Sequence, residues 1–418
     1  MTKITKMLLL LVACNLIVAV ALLLARPASS NLYLLGEDLR GHIGDDSSYF
    51  IELAFQLART PQPLYSTLVM EQHKKFQYPT SSLLIGFAAE GLHTTMHGLV
   101  KWNVLISALL TLIVAGEIFL LVLPGVPGDA RYRWQVRFLV AALGLLFYPL
   151  LNSVNLGQIQ TLLTFLFTLA VWCWMRGWKA VTGVCLAVAC AFKPPLALFL
   201  LWGLLRRQWR FVWAFLAIAT AIQMLAILAF GWRHEVEYLA ALSYLSRHGE
   251  SIAENQSVNG WLQRWTRNGQ DVPSTDYFPY PPYNALVYVG TLISTAALLL
   301  FGLLLPALRR WQGTASDFVL FGLISTIASP IVWTHHYGVF YVGFVFVLAM
   351  LLKQSGRMPA LFILCFLVMA NFWHFGGSLY GSRWFSPLFS YVLYAGLGIL
   401  WLLAFRVKHG QNNAESGG

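Results

Sequence analysis

Charged residues are scarce in this chain. Only 11% of its 418 residues are Asp, Glu, Lys or Arg, against roughly a quarter in a soluble protein of ordinary composition. That scarcity excludes a conventional soluble enzyme. Acids are scarcer than bases, 17 against 28, for a net charge of +11. The basic excess does not indicate a nucleic-acid partner, because the Lys and Arg residues form short clusters between apolar runs instead of lining one face. The preference of positive residues for the cytoplasmic side of a bilayer explains that scatter better. Cysteine is also sparse. The five cysteines, at 14, 173, 185, 190 and 365, fall in apolar segments without metal-ligand spacing, and read as buried structural thiols. No period-two alternation is long enough for a barrel. No internal or inverted repeat is visible, which weighs against a carrier built from repeats.

What the chain has in abundance is apolar and aromatic side chains: 58% hydrophobic residues, with 16 Trp, 17 Tyr and 28 Phe. The apolar residues come in runs long enough to cross about 30 Å of hydrocarbon. The pattern predicts an all-α polytopic membrane protein with about twelve spans, at 7–25, 102–123, 137–151, 159–175, 180–192, 195–205, 211–231, 284–305, 317–331, 337–352, 358–375 and 387–405. The N-terminal run is longer than a signal-peptide h-region, so it reads as an uncleaved first helix. Pro194 and Pro195 separate two short spans that together form a possible re-entrant hairpin. With the N-terminus cytoplasmic, sixteen basic residues from Lys3 to Lys408 fall on the inner side, opposed only by Asp129, Asp317 and Glu415. Residues 1–408 are expected to form one membrane domain, followed by a polar tail at 409–418.

Two outer segments, 26–101 and 232–283, are too long for simple connectors, and long loops in compact proteins tend to be functional or disordered. Their Tyr, Trp, Phe and His content predicts order. The stretch DDSSYFIELAFQLAR in the first has the spacing of a short helix lying in the interface plane. Its adjacent Asp45 and Asp46 have two readings, a solvated turn with helix-capping chemistry or a general base at a cavity mouth. Tyr78 before Pro79 is either an interfacial turn or a site residue. Asn155, Gln158 and Gln160 in NLGQIQ either satisfy helix ends or bind hydroxyls. Lys193 in FKPP either snorkels to headgroups or binds an anion. Asn255 and Gln256 lie in the amide-rich ENQSVNGWLQRW. SPIVWTHHYG, 329–338, carries His335 and His336 between apolar runs, where ionisable residues mark a functional site by default. Pro330 is expected to end span nine and Tyr337 to begin span ten, which sets both histidines at the outer rim of a cavity. Adjacent helical imidazoles point about 100° apart, so one shared metal ion is not expected. All these features fall on one side. Aromatics and amides suit a sugar; Lys and His suit a phosphate.

The ordered set resembles a known family. It comprises the acidic motif after the first helix, YP at 78–79, GQ at 157–158, KP at 193–194, NQS at 255–257 and SP-x-x-W-x-HHY at 329–337. In this order the motifs are similar to those of the glycosyltransferases of family 87, of the GT-C superfamily, which include polyprenol-phosphate-mannose-dependent α-mannosyltransferases. The resemblance runs over about 7–405.

It implies a membrane hexosyltransferase, mannose being the family's commonest sugar. A polyprenyl-phosphate sugar would be the donor and a glycan or glycolipid hydroxyl the acceptor, with inversion at the extracytoplasmic leaflet of a bacterial inner membrane and both termini cytoplasmic. The family pattern of Asp followed four residues later by Tyr or Phe fits Asp45 with Tyr49 and Asp46 with Phe50. Spacing to the downstream LARTPQPLY favours Asp46 as the base. Lys193 and His335 or His336 would face the donor phosphate, and Tyr49, Tyr78, Gln158, Asn255 and Gln256 the sugar or acceptor. No cofactor, metal or nucleotide is expected beyond the lipid-linked donor. Two other classes fit the same topology: a transporter or flippase of a sugar or lipid-linked sugar, and an O-antigen ligase or polymerase acting on diphosphate-linked glycans. The slightly acidic outer loops weigh against the second.

Overall fold

A computed structural model describes residues 2–27, 30–125, 129–269, 280–375 and 384–408. The polar tail at 409–418 lies outside the described residues, as does part of the second long segment. Eighteen α-helices are described. In chain order they are α1 Lys3–Ala25, α2 Asn31–Leu39, α3 Asp46–Ala58, α4 Leu84–Gly91, α5 Met96–Val122, α6 Ala130–Leu145, α7 Tyr148–Asn155, α8 Gln160–Met175 and α9 Lys179–Cys190. The second half comprises α10 Leu198–Leu205, α11 Trp209–Phe230, α12 Trp232–His248, α13 Val258–Thr266, α14 Ala285–Leu308, α15 Ala315–Ile327, α16 Phe340–Ser355, α17 Ala360–Met369 and α18 Tyr391–Phe405. Among the described residues there is no strand, only an isolated antiparallel bridge between Asn255 and Trp333.

Each of the twelve apolar runs contains helix. Among the described residues, six helices are long and apolar enough to cross a membrane, and a seventh counts if the bent pair α6–α7 is one span. Five apolar helices, α8, α9, α10, α15 and α17, are shorter, and α15 is buried along almost its whole length. Among the long ones, Thr334–Ser355 is almost wholly buried inside the protein, whereas α1, α11 and α14 leave most of their surface open. A helix shielded by its neighbours can stop at membrane depth where its end borders protein or a cavity.

Helix ends are set by local chemistry. Thr2, Thr95, Ser257 and Thr314 each accept a backbone N–H of the first turn, the usual role of a hydroxyl N-cap. The break between α6 and α7, bent by 63°, frees the Leu146 carbonyl. Asn15 and Asn31 donate to it at 3.1 and 2.8 Å, and Asn31 also donates to the Ala370 carbonyl. Asn371 donates to Asn15 Oδ1 at 2.8 Å. Three asparagines thus satisfy backbone groups that hydrocarbon would leave unpaired, tying α1, α2, α7 and the end of α17 together.

A second polar lock lies at the opposite helix ends. Asp317, fully buried, accepts from Arg206 Nε at 2.8 Å, Trp202 Nε1 at 3.1 Å and the Gly313 amide at 2.6 Å. Removing one partner of such a pair strands the other. Asp317→Ala is therefore expected to destabilise the protein by about 3–5 kcal/mol, with Asp317→Asn losing less. Thermal unfolding in detergent checks this. An Asp317→Ala midpoint equal to the wild type would show the pair to be dispensable.

The first long segment is ordered, as its composition predicts. On α3, Ser47, Ser48, Ile51, Ala54, Phe55 and Ala58 are buried on one face. That face joins a separate apolar cluster with Tyr65, Leu68, Val69, Phe76 and Leu83, packed on Val100 and Val104 of α5, Phe230 of α11 and Tyr238 of α12. A folded cap therefore rests on the ends of the bundle. The chain directions set the division of labour between the two ends. Helices α8 and α10 start near the cap and end at Arg176 and Arg206, while α9 and α15 run the other way.

Candidate functional site

The segment 44–48 is clamped to the turn 153–159. Gly44 N donates to Asn155 O at 2.8 Å, Asp46 N to Leu156 O at 3.2 Å, and Ile159 N to Ser47 Oγ at 2.9 Å. The clamp requires glycine at 157. Its φ is +66°, a region side chains disfavour, and a Cβ there would collide with the Gly44 carbonyl oxygen.

Gln158 is the hub of this junction and is only 3% exposed. Its Oε1 accepts from Ser47 Oγ at 2.9 Å and from Tyr78 Oη at 3.4 Å. Two donors on the oxygen fix the amide's orientation, so its N–H₂ is directed at Asp46, whose carboxylate accepts from it. Asp46 is half-buried in the first turn of α3. Burial raises its carboxyl above the ordinary carboxylate value, the Gln158 amide pulls against that, and Asp45 adds to the rise. Asp45 stands at the N-cap position but makes no side-chain capping bond, and its side chain is exposed. Burial also pushes the Tyr78 phenol up to about 12, so it stays protonated.

Beside this junction lies a cavity of about 300 Å³. Its lining draws on distant parts of the chain: Lys75, Gln77 and Tyr78 from the cap, Gln160 and Lys193 from the ends of α8 and α9, residues of α12, and Pro330, Trp333, His335 and His336. Lys193 donates to Gln160 Oε1 at 3.4 Å. Burial pushes its ammonium down to about 7. The histidines sit in a 3-10 turn, Thr334–Val339, leading into α16. His335 is 3% exposed and His336 partly exposed, and both line the cavity wall. The rings are 4.7 Å apart and nearly perpendicular, at 86°. His336 Nδ1 accepts the Trp333 backbone N–H at 3.1 Å, which leaves Nε2 as the proton-bearing nitrogen of the neutral ring.

The cavity wall holds Tyr78, Lys193, His335 and His336, and Gln158 links Tyr78 to Asp46 beside it. The structure does not bring in three others. Tyr49 is 49% exposed and its ring meets Phe50 and the Lys74 ammonium. Asn255 is fully buried. Its amide donates to Glu250 O and Pro330 O and accepts from Val332 N. Gln256 donates to Ala253 O and Phe389 O and accepts from Val392 N. These two amides are saturated by backbone and hold the SPIVW strip in place, with Tyr337 Oη adding a bond to Gln256 O at 2.6 Å.

Other site residues are not evident from sequence. Asp38, on α2, accepts from Asn155 Nδ2 at 3.1 Å, and burial raises it to about 7. Lys75, in the cavity wall, forms an ion pair at 3.0 Å with Glu250 behind it. Only the position of Asp38, seven residues before Asp45 in an acid-rich stretch, hints at its place. Lys75 and Glu250 meet through tertiary packing alone. A second groove of about 470 Å³ shares Pro194, Tyr238 and Leu242 with the cavity. It continues between α9, α11 and α12 past Thr220, Gln223 and Leu239.

The family model of glycosyltransferase family 87 matches residues 76–332. This takes in Tyr78, Gln158 and Lys193 and leaves out Asp46 and the histidines. A polyprenol-phosphate-mannose-dependent alpha-(1-2)-phosphatidylinositol mannoside mannosyltransferase of Mycobacterium tuberculosis is 30% identical over 218 residues. These are 51% of this chain and 47% of the relative, so the match spans about half of each. No solved structure matches the chain. With the family's region covering more than half of its length and enclosing most of the cavity wall, the chain belongs to glycosyltransferase family 87.

Proposed function

We propose that this protein moves a hexose, mannose in the first instance, from a polyprenyl-phosphate donor to a hydroxyl of a glycolipid or glycan. The acceptor class follows that of the mycobacterial relative, which acts on a phosphatidylinositol mannoside. The observation that carries the proposal is the juxtaposition of a half-buried, amide-held carboxylate, Asp46, with a cavity whose cations and imidazoles suit a phosphate. The acceptor oxygen attacks the anomeric carbon on the face away from the phosphate, and its proton passes to Asp46. The anomeric C–O bond breaks, and its electron pair leaves on the phosphate oxygen. Lys193 and an imidazole N–H offset that charge. Attack opposite the leaving group inverts the anomeric centre. Tyr78 and Gln158 orient hydroxyls and the base. The leaving group is stable as a lipid monophosphate, so neither nucleotide nor metal enters this scheme.

The groove between α9, α11 and α12 suits the prenyl chain, because α11 leaves most of its surface open to the surrounding lipid. The proposal sets the cap and cavity on the extracytoplasmic side of the inner membrane, since the Lys and Arg clusters occupy the opposite helix ends. Purified protein in nanodiscs, given a radiolabelled polyprenyl-phosphate mannose and a phosphatidylinositol mannoside, is expected to yield a lipid product one hexose larger, of opposite anomeric configuration. Counterflow of the labelled donor across proteoliposomes with no such product would overturn the proposal in favour of a carrier.

A further inference from the structure

The charges of the cavity support a more specific statement about its ligand. Among the described residues lining it, the only ammonium groups are those of Lys75 and Lys193. His336 accepts a backbone N–H at Nδ1 and so is neutral. The two lysines are treated differently. Lys193 has an amide oxygen as partner and no carboxylate among the described residues. Lys75 is neutralised by Glu250 at 3.0 Å and lies 3.8 Å above the Tyr280 ring.

Glu250 is 2% exposed and stands behind the wall. It is held there by donors from three directions: the Lys75 ammonium, Gln77 Nε2 at 3.3 Å and Trp333 Nε1 at 2.5 Å. A buried carboxylate is expensive unless it is paired and hydrogen-bonded, and this one is both. It offsets Lys75, so of the two lysines facing the chamber only Lys193 has no carboxylate partner among the described residues.

We infer that Glu250, acting through Lys75, sets the charge selectivity of the chamber: it matches the single negative charge of a phosphodiester-linked lipid sugar and disfavours diphosphate-linked lipids. Discrimination by charge works by withholding a favourable interaction from the wrong ligand as much as by binding the right one. One uncompensated cation satisfies a phosphodiester. A diphosphate brings at least one further charge into a space without a free counter-ion. Glu250 touches neither sugar nor reacting atoms in this scheme. It is a positioning and specificity residue, and the inference rests on the donor reading above.

The test is a charge series on the full-length protein in nanodiscs. Farnesyl methyl phosphate, a phosphodiester, and farnesyl diphosphate serve as probes with one tail and different charge. Relative to wild type, Glu250→Gln adds one positive charge, Lys75→Met removes one, and the double variant restores the original balance. The ratio of diphosphate to phosphodiester affinity is expected to rise about tenfold in Glu250→Gln, to fall by a similar factor in Lys75→Met, and to return towards wild type in the double variant, as one added or removed charge at close range requires. Lys75→Met and the double variant carry the test if Glu250→Gln does not fold. A purely architectural role for the pair would weaken both probes alike and leave the ratio flat, which overturns the inference while sparing the donor reading. Failure of wild type to bind either probe overturns the donor reading and the inference together.

Discussion

Asp46→Asn is expected to lower the turnover of sugar transfer by roughly 10²–10⁴-fold, the range a positioned general base contributes. Asparagine keeps the shape and accepts the Gln158 amide proton through its Oδ1, but it cannot take the acceptor's proton. The fold should therefore survive, and donor binding should be nearly unchanged. Asp45→Asn is the matched control. That side chain is exposed and caps no helix, so transfer should stay within about threefold of wild type. The pH profile adds a second readout. Burial raises the Asp46 carboxyl, so the basic form is lost as pH falls through a value above the ordinary carboxylate range. The acid limb of kcat/KM should sit there and should vanish in Asp46→Asn. Equal losses in the two variants, or an acid limb that persists without Asp46, would remove it from the role of base.

The second large effect belongs to Lys193. Lys193→Met keeps the length of the side chain and removes the ammonium, and kcat/KM for the donor is expected to drop by about 10²–10³-fold, as for loss of one preorganised group facing developing charge. The sign of the pH dependence follows from burial, which brings the ammonium down to about 7 in the free protein. Lys193 is charged below that value and neutral above it, so kcat/KM should fall as pH rises through about 7. A bound anion favours the charged form, so kcat should hold to higher pH than kcat/KM. In Lys193→Met the alkaline limb should disappear from both. The role is refuted by an unshifted alkaline limb in the variant, or by a loss confined to the KM of the acceptor.

The two predictions differ in how far the sequence alone leads to them. The pair Asp45–Asp46 was visible as an acidic motif after the first apolar run, but local sequence left capping and catalysis both open. Tertiary structure separates the neighbours. Helix α3 begins at Asp46, its first turn faces the 153–159 turn, and Gln158 reaches only one of the two carboxylates. Lys193 was conspicuous as a cation beside two prolines, and its placement at the end of α9 agrees with the run lengths. The amides of Asn255 and Gln256 mislead a sequence reader for the opposite reason. Polar residues in an aromatic loop suit a sugar site, yet here they saturate backbone groups around Pro330, Val332 and Phe389.

What the sequence determined by itself is the solvent and the side chains available for chemistry. Runs of apolar residues require helices in lipid, because a bilayer offers no partner for free backbone groups. Clustered Lys and Arg mark one set of helix ends. The same runs could not reveal which helices are wrapped by others: Thr334–Ser355 is enclosed, while α1, α11 and α14 leave most of their surface open. Nor could they reveal that Lys75 meets Glu250, 175 positions away, or that the chamber holds one uncompensated cation. Hydrophobic period and span length are local quantities, legible in a window of some twenty residues. The balance of charge in a cavity is set by pairs that meet only when the cap closes over the bundle, and only the tertiary structure decides it.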